Sequence, residues 1–379
     1  MASAMVKRNI LLNPGPATTT NSVKMAQVVP DICPREKEFA DIMRDLGKDL
    51  VEIAHGNVDD YTAVLFCGSG TLNIDVCVSS LVPENKKILI LNNGSYSARA
   101  VEVASYYHIN HIDLQLPTDR PIDLAVVQKA LEENSDIAVV YCCMHETGTG
   151  ILNPVKEIGA LAHNVGAIMV SDTTSAYGLI PIDLKRDNLD FIMASAQKGL
   201  MSMTGLSFVI GKTKEIEKSA KYPTRSYYSN LYLQYSFIRD KGEMHFTPPV
   251  QTIYATKQAI KEYFEEGEKA KQRRHREVWE TLWNGIHKLG FKTAYPKEYM
   301  SGLVVPVMYP KYSDGREFSF QKFHDGLYEK GFTIYPGKVE DVGMFRLCSL
   351  GAIYVEDAEN FLKAAEEVLK KEDLMPDSF

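Results

Sequence analysis

A lysine follows a predicted buried strand on a glycine-containing loop. The apolar run at 191–195 predicts the strand, and Lys198 stands three residues beyond it, directly before Gly199. Lysine is rarely buried without a partner, and desolvation lowers the pKa of its ammonium group, which yields a nucleophilic amine. Such an amine can form an imine with a carbonyl compound. An exposed loop lysine is the alternative, so Lys198 needs support from other residues.

An acid follows a second predicted strand, at 167–171, and supplies part of that support. In open α/β sheets ligands bind outside the carboxyl ends of the strands, so Asp172 and Lys198 can converge on one crevice. In enzymes that use pyridoxal 5'-phosphate (PLP), an aspartate commonly pairs with the pyridine nitrogen and keeps it protonated. Asp172 fits that role, although a cap or turn aspartate is the alternative.

The turn at 66–71 combines a strand end, glycines and a helix start. Free backbone N–H groups and the positive helix end favour an anion, Gly70 permits close approach, and Ser69 and Thr71 add hydroxyl donors. The turn matches neither of the common nucleotide-binding glycine motifs. Many strand–helix turns contain glycine, so this one indicates a phosphate site only in combination with the lysine and the aspartate.

Three further side chains suit the same pocket. Tyr96 begins a helix after a strand, where an aromatic ring could stack on a flat cofactor. Thr147 follows the predicted strand at 137–143 and could donate to the phenolic oxygen of the ring. Arg346 interrupts an apolar strand, and arginine is the bidentate partner of carboxylate, phosphate or phosphonate. The alternatives are a core-edge tyrosine, a turn threonine and a buried ion pair.

The elements that position these residues alternate between strand and helix from about 60 to 210, which predicts a mainly parallel sheet covered by helices. Several strands are continuous apolar runs and should be buried on both faces. We expect strands at 63–66, 87–91, 111–116, 137–143, 167–171, 191–195 and 206–210, with helices at 72–82, 96–108, 123–133 and 154–164.

The C-terminal part differs in pattern. Residues 212–250 are aromatic and without a sustained period, which indicates an extended crossing segment, and residues 252–289 are helical and charged. A small α+β region follows, with strands at 302–308, 332–335 and 344–349 and helices at 318–330 and 355–371. We therefore expect an N-terminal arm (1–20, with 1–4 a leader ahead of a second methionine), a large domain (21–250) and a small domain (251–379).

The composition excludes several classes of protein. The 379 residues are 45% hydrophobic and 24% charged, as in ordinary globular proteins, and the net charge of -7 offers no overall positive field for nucleic acid or an anionic membrane. The six cysteines form no CxxC pair, no apolar run reaches the length of a membrane span, and no signal peptide is recognisable. We expect a soluble cytoplasmic protein without a metal site.

Taken in order along the chain, these motifs resemble the class V aminotransferases of fold type I. Within that family they most closely resemble the 2-aminoethylphosphonate:pyruvate aminotransferases. The matching stretches are 11–20, 68–70, 93–96, 146–147, Asp172, 195–198, 246–248, 335–338 and 345–346. Two departures are Gly148, where a hydroxyl residue is expected, and Gln197, where close relatives often have asparagine.

The resemblance implies a role for each site residue. Lys198 is the Schiff-base lysine, Asp172 the pyridinium partner, Tyr96 the stacking residue and Thr147 the donor to the ring oxygen. The resemblance further implies that the phosphate is bound by Ser69, Gly70, Thr71 and Gln197. The same resemblance implies that Thr247 reaches the cofactor of a neighbouring subunit, which makes the active unit a homodimer, and that Arg346 and Gly15 contact the substrate.

The resemblance also implies the reaction: ping-pong transfer of an amino group between 2-aminoethylphosphonate, giving phosphonoacetaldehyde, and pyruvate, giving alanine. Alternatives within the family are serine or alanine:glyoxylate transamination at the same cofactor site. A cysteine desulfurase needs a reactive thiol, and Cys348 stands in an apparent strand, where a packed thiol is expected. An α/β binding protein without PLP is a further alternative, against which Lys198, Asp172 and the phosphate turn argue together.

Overall fold

The computed structural model describes residues 9–337 and 343–377, so Lys338 of the 335–338 motif lies outside the described residues. The strands in these ranges are Ile10–Leu11 (β1), Tyr61–Cys67 (β2), Lys87–Asn92 (β3), His111–Gln115 (β4), Ile137–Cys143 (β5), His145–Glu146 (β6), Ile151–Leu152 (β7), Ile168–Asp172 (β8), Phe191–Ser195 (β9), Leu206–Lys212 (β10), Val304–Met308 (β11), Phe332–Thr333 (β12), Tyr335–Pro336 (β13) and Met344–Cys348 (β14). The α-helices are Asn21–Met25 (α1), Lys37–Ile53 (α2), Gly70–Leu81 (α3), Ser95–Tyr106 (α4), Leu124–Glu132 (α5), Val155–Asn164 (α6), Thr213–Ser219 (α7), Leu231–Lys241 (α8), Val250–Glu266 (α9), Glu268–Lys288 (α10), Phe320–Glu329 (α11) and Val355–Lys371 (α12).

The seven predicted strands form one sheet, in the order β2-β10-β9-β8-β5-β3-β4. Strand β10 is antiparallel to both of its neighbours, and the other paired strands are parallel. Successive residues point into two apolar layers: Val140 packs in one layer and Val139 in the other. This alternation explains the continuous apolar runs, because both faces of the sheet are covered. The prediction of a mainly parallel seven-stranded sheet flanked by helices is confirmed.

A smaller sheet, of order β11-β14-β13, packs with helices α10, α11 and α12 around a separate apolar core. The N-terminal segment is tied to this region, because β1 pairs in parallel with β12. The backbone N–H of Cys348 also donates to the carbonyl of Leu12, at 2.8 Å. The segment that follows β1 is thereby carried toward the large sheet, where it meets Lys198.

The interpretation of residues 212–250 as an extended segment is wrong, because α7 and α8 lie within it. Helix α8 buries Gln234, whose side-chain amide donates to the carbonyl of Leu65 at 2.7 Å. A buried polar side chain breaks the apolar period by which a helix is recognised. The helix ends were nevertheless marked in the sequence, by Asn230 as the N-cap and by Gly242 at φ 70° as the C-cap.

The predicted helical stretch at 252–289 is divided in two by Gly267, which has φ 80°. Helix α9 buries Ile253 and Ile260 in the core beneath the large sheet, whereas α10 buries Trp279 in the core of the small sheet. The domain boundary predicted at 250 stays a prediction. In the part of the chain that the structure describes, no helix is both long enough and apolar enough to cross a bilayer.

Candidate active site

The carboxyl ends of the parallel strands open into a cavity of about 200 Å³. The loops after β2, β5, β8 and β9 form most of its wall, and the N-terminal segment closes one side. The predicted site residues that line it are Gly15, Ser69, Gly70, Thr71, Tyr96, Thr147, Asp172, Gln197 and Lys198. Two predicted site residues, Arg346 and Thr247, are not among the described residues that line this cavity.

The amine of Lys198 is held at the centre of this arrangement. Its Nζ donates to the carbonyl of Pro14 at 2.5 Å. Gly15, at φ 112°, lies so close that a Cβ there would stand 2.4 Å from Cδ of Lys198. Burial lowers the pKa of the Lys198 ammonium group and outweighs the opposite effect of neighbours such as Tyr96 and Asp172. The lowered pKa favours the neutral, nucleophilic amine.

The carboxyl of Asp172 is 5% exposed and ends strand β8. Its Oδ1 accepts a hydrogen bond from the backbone N–H of Thr174 at 2.8 Å, and Oδ2 accepts one from the Tyr141 hydroxyl at 3.5 Å. Burial raises the pKa of Asp172 above its ordinary value, against the opposing effect of the hydrogen bond from the backbone N–H of Thr174. The charged form of a buried carboxyl group is stabilised by a cation placed beside it.

The start of α3 offers donors for an anion. The first turn of a helix leaves its N–H groups without intrahelical partners, and here that turn begins at Gly70, after Ser69. Across from it, Oγ1 of Thr174 and Oγ of Ser195 are buried with no hydrogen-bond partner among the described residues. A Cβ on Gly70 would approach Cγ2 of Thr174 to 3.0 Å, so the glycine keeps this recess open. These groups fit a bound phosphate.

Tyr96 lies in the first turn of α4 beside the cavity. Its backbone N–H donates to Oε2 of Glu146 at 3.3 Å, and the guanidinium of Arg99 lies 5.4 Å from its ring centroid. Glu146 is fully buried, and burial raises the pKa of its carboxyl to about 7. Tyr96 is therefore fixed by its own backbone and by a cation next to its ring.

Arg346 lies beside the cavity on β14, with 1% of its surface exposed. Its Nη1 donates to the carbonyl of Thr147 at 2.9 Å, and Nε and Nη2 donate to the carbonyl of Pro336 at 3.2 and 3.0 Å. Of the carboxylates in 9–337 and 343–377, none lies within 4.0 Å of this guanidinium. Two N–H groups of the five therefore remain for another acceptor.

Thr247 is exposed, follows α8 and is not among the described residues that line the cavity. The preceding residue, Phe246, stacks on Tyr228 with ring centroids 4.4 Å apart, and Tyr227 is 69% exposed.

Several lining residues were not identified from the sequence: Pro16, Ile74, Arg99, Cys143, His145, Thr174, Ser175 and Ser195. His145 is the most informative of them. Its Nδ1 lies 3.0 Å from Oγ of Ser175 and its Nε2 lies 2.9 Å from Oγ of Ser301, and burial lowers its pKa to about 4. The sequence could have indicated these residues, because they directly follow strands that point toward the cavity. His145 stands two residues after β5, and Thr174 and Ser175 stand within three residues of the end of β8.

The fold and the cavity define a transferase of PLP fold type I. The chain belongs to the class V aminotransferases, because the sequence profile described as "Aminotransferase class-V" matches residues 22–308. PLP is accordingly its cofactor.

Curated relatives are 34% identical to the chain. One is the bifunctional phosphonoacetaldehyde hydrolase/aminoethylphosphonate transaminase of Clostridioides difficile, aligned over 364 residues; the match covers 96% of this chain and 56% of that longer protein. Another is the 2-aminoethylphosphonate–pyruvate transaminase of Bacillus cytotoxicus, where the match covers 94% of this chain and 97% of the relative.

Solved structures support the fold at lower identity. The alanine–glyoxylate aminotransferase of Nostoc sp. has a TM-score of 0.88 at 24% identity, with 97% of each chain covered. The ureidoglycine–glyoxylate aminotransferase of Bacillus subtilis has a TM-score of 0.89 at 19% identity, covering 100% of this chain and 97% of that one.

Proposed function

We propose that this protein is an aminotransferase that moves the amino group between 2-aminoethylphosphonate and pyruvate, giving phosphonoacetaldehyde and alanine. One observation carries the proposal: the amine of Lys198, the carboxyl of Asp172 and the start of α3 share one cavity, beside which lies the guanidinium of Arg346. The curated relatives that bear this activity in their names, aligned over most of the chain, support the choice of substrates.

The residues of the cavity suit the parts of the cofactor. Lys198 would hold its carbonyl carbon, Asp172 its pyridinium nitrogen, Tyr96 the face of its ring and Thr147 its phenolic oxygen. The phosphate would be held by Ser69, Gly70, Thr71 and Gln197. When bound, PLP withdraws electrons from the substrate carbon that loses a proton.

The chain's own groups then move that proton. Lys198 carries it at Nζ, since burial lowers the pKa of this amine below its ordinary value and so favours the free base. The His145 ring stays neutral beside it, because its pKa is about 4. A cation beside Asp172 favours its charged form, which couples its ionisation to the bound cofactor.

The substrate end depends on Arg346 and Gly15. The two remaining N–H groups of Arg346 can bind a carboxylate in one half-reaction and a phosphonate in the other. Gly15 keeps the space next to the Lys198 side chain free, because any Cβ there would collide with it. A desulfurase reaction is disfavoured, since Cys348 is fully buried and burial raises the pKa of its thiol to about 12.

The active unit in this proposal is a cytoplasmic homodimer whose subunits each have a large domain (21–250) and a small one (251–379). The aromatic surface at 227–246 supports a partner contact, because aromatic side chains are enriched at interfaces. In such a dimer Thr247 reaches the phosphate bound by the partner subunit.

Subunit mixing tests the shared site. Lys198→Ala is combined with a Thr247→Ala protein that binds PLP weakly, and exchange is verified with differently tagged chains. A heterodimer then holds both defects in one site and leaves the other site intact, so activity returns. Proven exchange without recovery, or a fully active monomer in solution, excludes the shared site.

A screen of amino donors and keto acceptors with the purified, PLP-loaded protein tests the reaction itself. We expect 2-aminoethylphosphonate with pyruvate to give the highest kcat/KM. A clear preference for serine or alanine with glyoxylate would instead assign the other class V activity.

A further inference from the structure

The residues proposed above to bind the phosphate include no cationic side chain. Its side chains are the hydroxyls of Ser69 and Thr71 and the amide of Gln197, together with the N–H groups that start α3. A phosphate monoester carries about −1.5 to −2 charges at pH 7, whereas a helix N-terminus supplies only about half a positive charge. Hydroxyl and amide donors add dipoles but no net charge, so most of the phosphate charge would stay uncompensated.

Arg99 lies at this end of the cavity. It is one turn along α4 from Tyr96 and lines the cavity wall. Its Nη1 donates to Oγ1 of Thr71 at 3.0 Å, and its guanidinium lies 5.4 Å from the centroid of the Tyr96 ring. Arg99 therefore bridges a predicted phosphate-binding residue and the predicted ring-stacking residue.

In the ranges that the structure describes, no carboxylate lies within 4.0 Å of the Arg99 guanidinium, so it forms no salt bridge there. Its charge acts on the Asp172 carboxyl only from a longer distance, where it lowers the pKa of that group. One of the five guanidinium N–H groups is engaged by Thr71, which leaves donors for another acceptor. The hydroxyl of Thr71 accepts this bond, so its own hydrogen is free to donate elsewhere.

We propose that Arg99 binds the phosphate of PLP, donating to a phosphate oxygen and orienting the Thr71 hydroxyl toward the same group. The inference rests on the cofactor placement proposed above. A phosphonate of the substrate has the same chemistry, so the test has to separate the two anions.

Binding of PLP and of pyridoxal, which lacks the phosphate, to the cofactor-free protein makes that separation. We expect Arg99→Gln to weaken PLP binding about 10- to 100-fold, the usual range for one charge-assisted hydrogen bond. Pyridoxal binding should change less than about threefold, since that ligand has no phosphate to lose. Inorganic phosphate should compete with PLP in the wild type and require a higher concentration to do so in Arg99→Gln.

Arg120→Gln is the matched control, because Arg120 is an exposed arginine paired with Asp119 and lies outside the cavity. It removes the same charge from the protein and should leave both affinities unchanged. Arg99→Lys is the second variant if Arg99→Gln does not fold. An ammonium lacks the planar fork with which a guanidinium bonds two acceptors, so PLP binding should weaken at least about threefold while pyridoxal binding stays constant.

Three results would overturn the inference. Equal weakening of PLP and pyridoxal would mean that Arg99 acts through the Tyr96 ring. Unchanged affinity for both would remove Arg99 from cofactor binding. A raised KM for 2-aminoethylphosphonate alone, with PLP affinity intact, would assign Arg99 to the substrate. Failure of the cofactor placement itself looks different, since the wild type would then show no spectral change with PLP.

Discussion

The cavity and the region beside it at Arg346, which are the cofactor end and the substrate end of the proposed site, are built in different ways. At the cofactor end, hydroxyls of Thr174 and Ser195 are buried without a partner in the described part of the chain. At the substrate end, three N–H groups of Arg346 are already bonded to backbone carbonyls. Buried polar groups are nearly always hydrogen-bonded, so the first end is shaped around a ligand that supplies the missing bonds. The second end is fixed by the protein and has only two donors left for a substrate.

The largest effect is expected at the cofactor end. Asp172→Ala should lower kcat about 10²- to 10³-fold, the usual loss on removing one preorganised electrostatic group from an active site. The rate constants of both half-reactions should fall by a similar factor, because both depend on the same electron-withdrawing cofactor ring. Stopped-flow kinetics of each half-reaction measures this. Turnover near that of the wild type, with PLP bound, would remove Asp172 from the assigned role.

A smaller and more selective effect is expected at the substrate end. Arg346→Lys should raise the KM of both substrates about tenfold or more, since an ammonium cannot form two parallel hydrogen bonds with a carboxylate or phosphonate. PLP affinity should stay close to that of the wild type, which separates the substrate end of the proposed site from its cofactor end. Unchanged kinetics in both half-reactions would show that Arg346 only links Thr147 to Pro336.

The smallest effect on turnover is expected from Glu146→Gln. This change tests the buried carboxyl that accepts a hydrogen bond from the backbone N–H of Tyr96. Burial raises the pKa of Glu146 from 4.5 to about 7, so the folded chain holds this proton more tightly than the unfolded chain. Wild-type stability should therefore fall as the pH rises from about 4.5 to 7, and the glutamine variant should lack this fall.

Thermal unfolding across this pH range measures the difference, which should reach at most about 3 kcal/mol above pH 7 in favour of Glu146→Gln. Exposed Glu102 on α4 provides the control, because Glu102→Gln should keep the wild-type profile. Parallel pH profiles for the wild type and Glu146→Gln would contradict the buried, protonated state.

The grouping of the cavity residues could be predicted from the sequence, because these residues follow strands that are recognisable locally. Strand β9 is fully buried, and Lys198 follows it within three residues. Thr174 and Ser195 were missed because a small hydroxyl side chain beside a strand end is equally common in turns. Helix α8 was missed because Gln234 interrupts its apolar face, although its capping residues, Asn230 and Gly242, are of types that commonly end helices.

The substrate end could not be predicted in the same detail. Arg346 was identified as an arginine in an apolar strand, but its partners lie on β13 and in the loop after β6. Those contacts depend on how the small sheet packs against the large one. A local sequence pattern cannot predict that packing. Similarly, the position of Gly15 depends on the pairing of β1 with β12, 322 residues apart at Ile10 and Phe332.

The most direct test of the account is the site at which the cofactor is attached. A second buried lysine offers a matched control: Lys271 is fully buried, and burial lowers its pKa to about 7, but it lies outside the cavity. Borohydride reduction of the PLP-loaded protein followed by peptide mapping should place the cofactor on Lys198 in the wild type and in Lys271→Met. Lys198→Ala should carry none. Cofactor fixed to another lysine, or a Lys198→Ala protein that keeps the wild-type absorbance of bound PLP without added amine, would contradict the central claim.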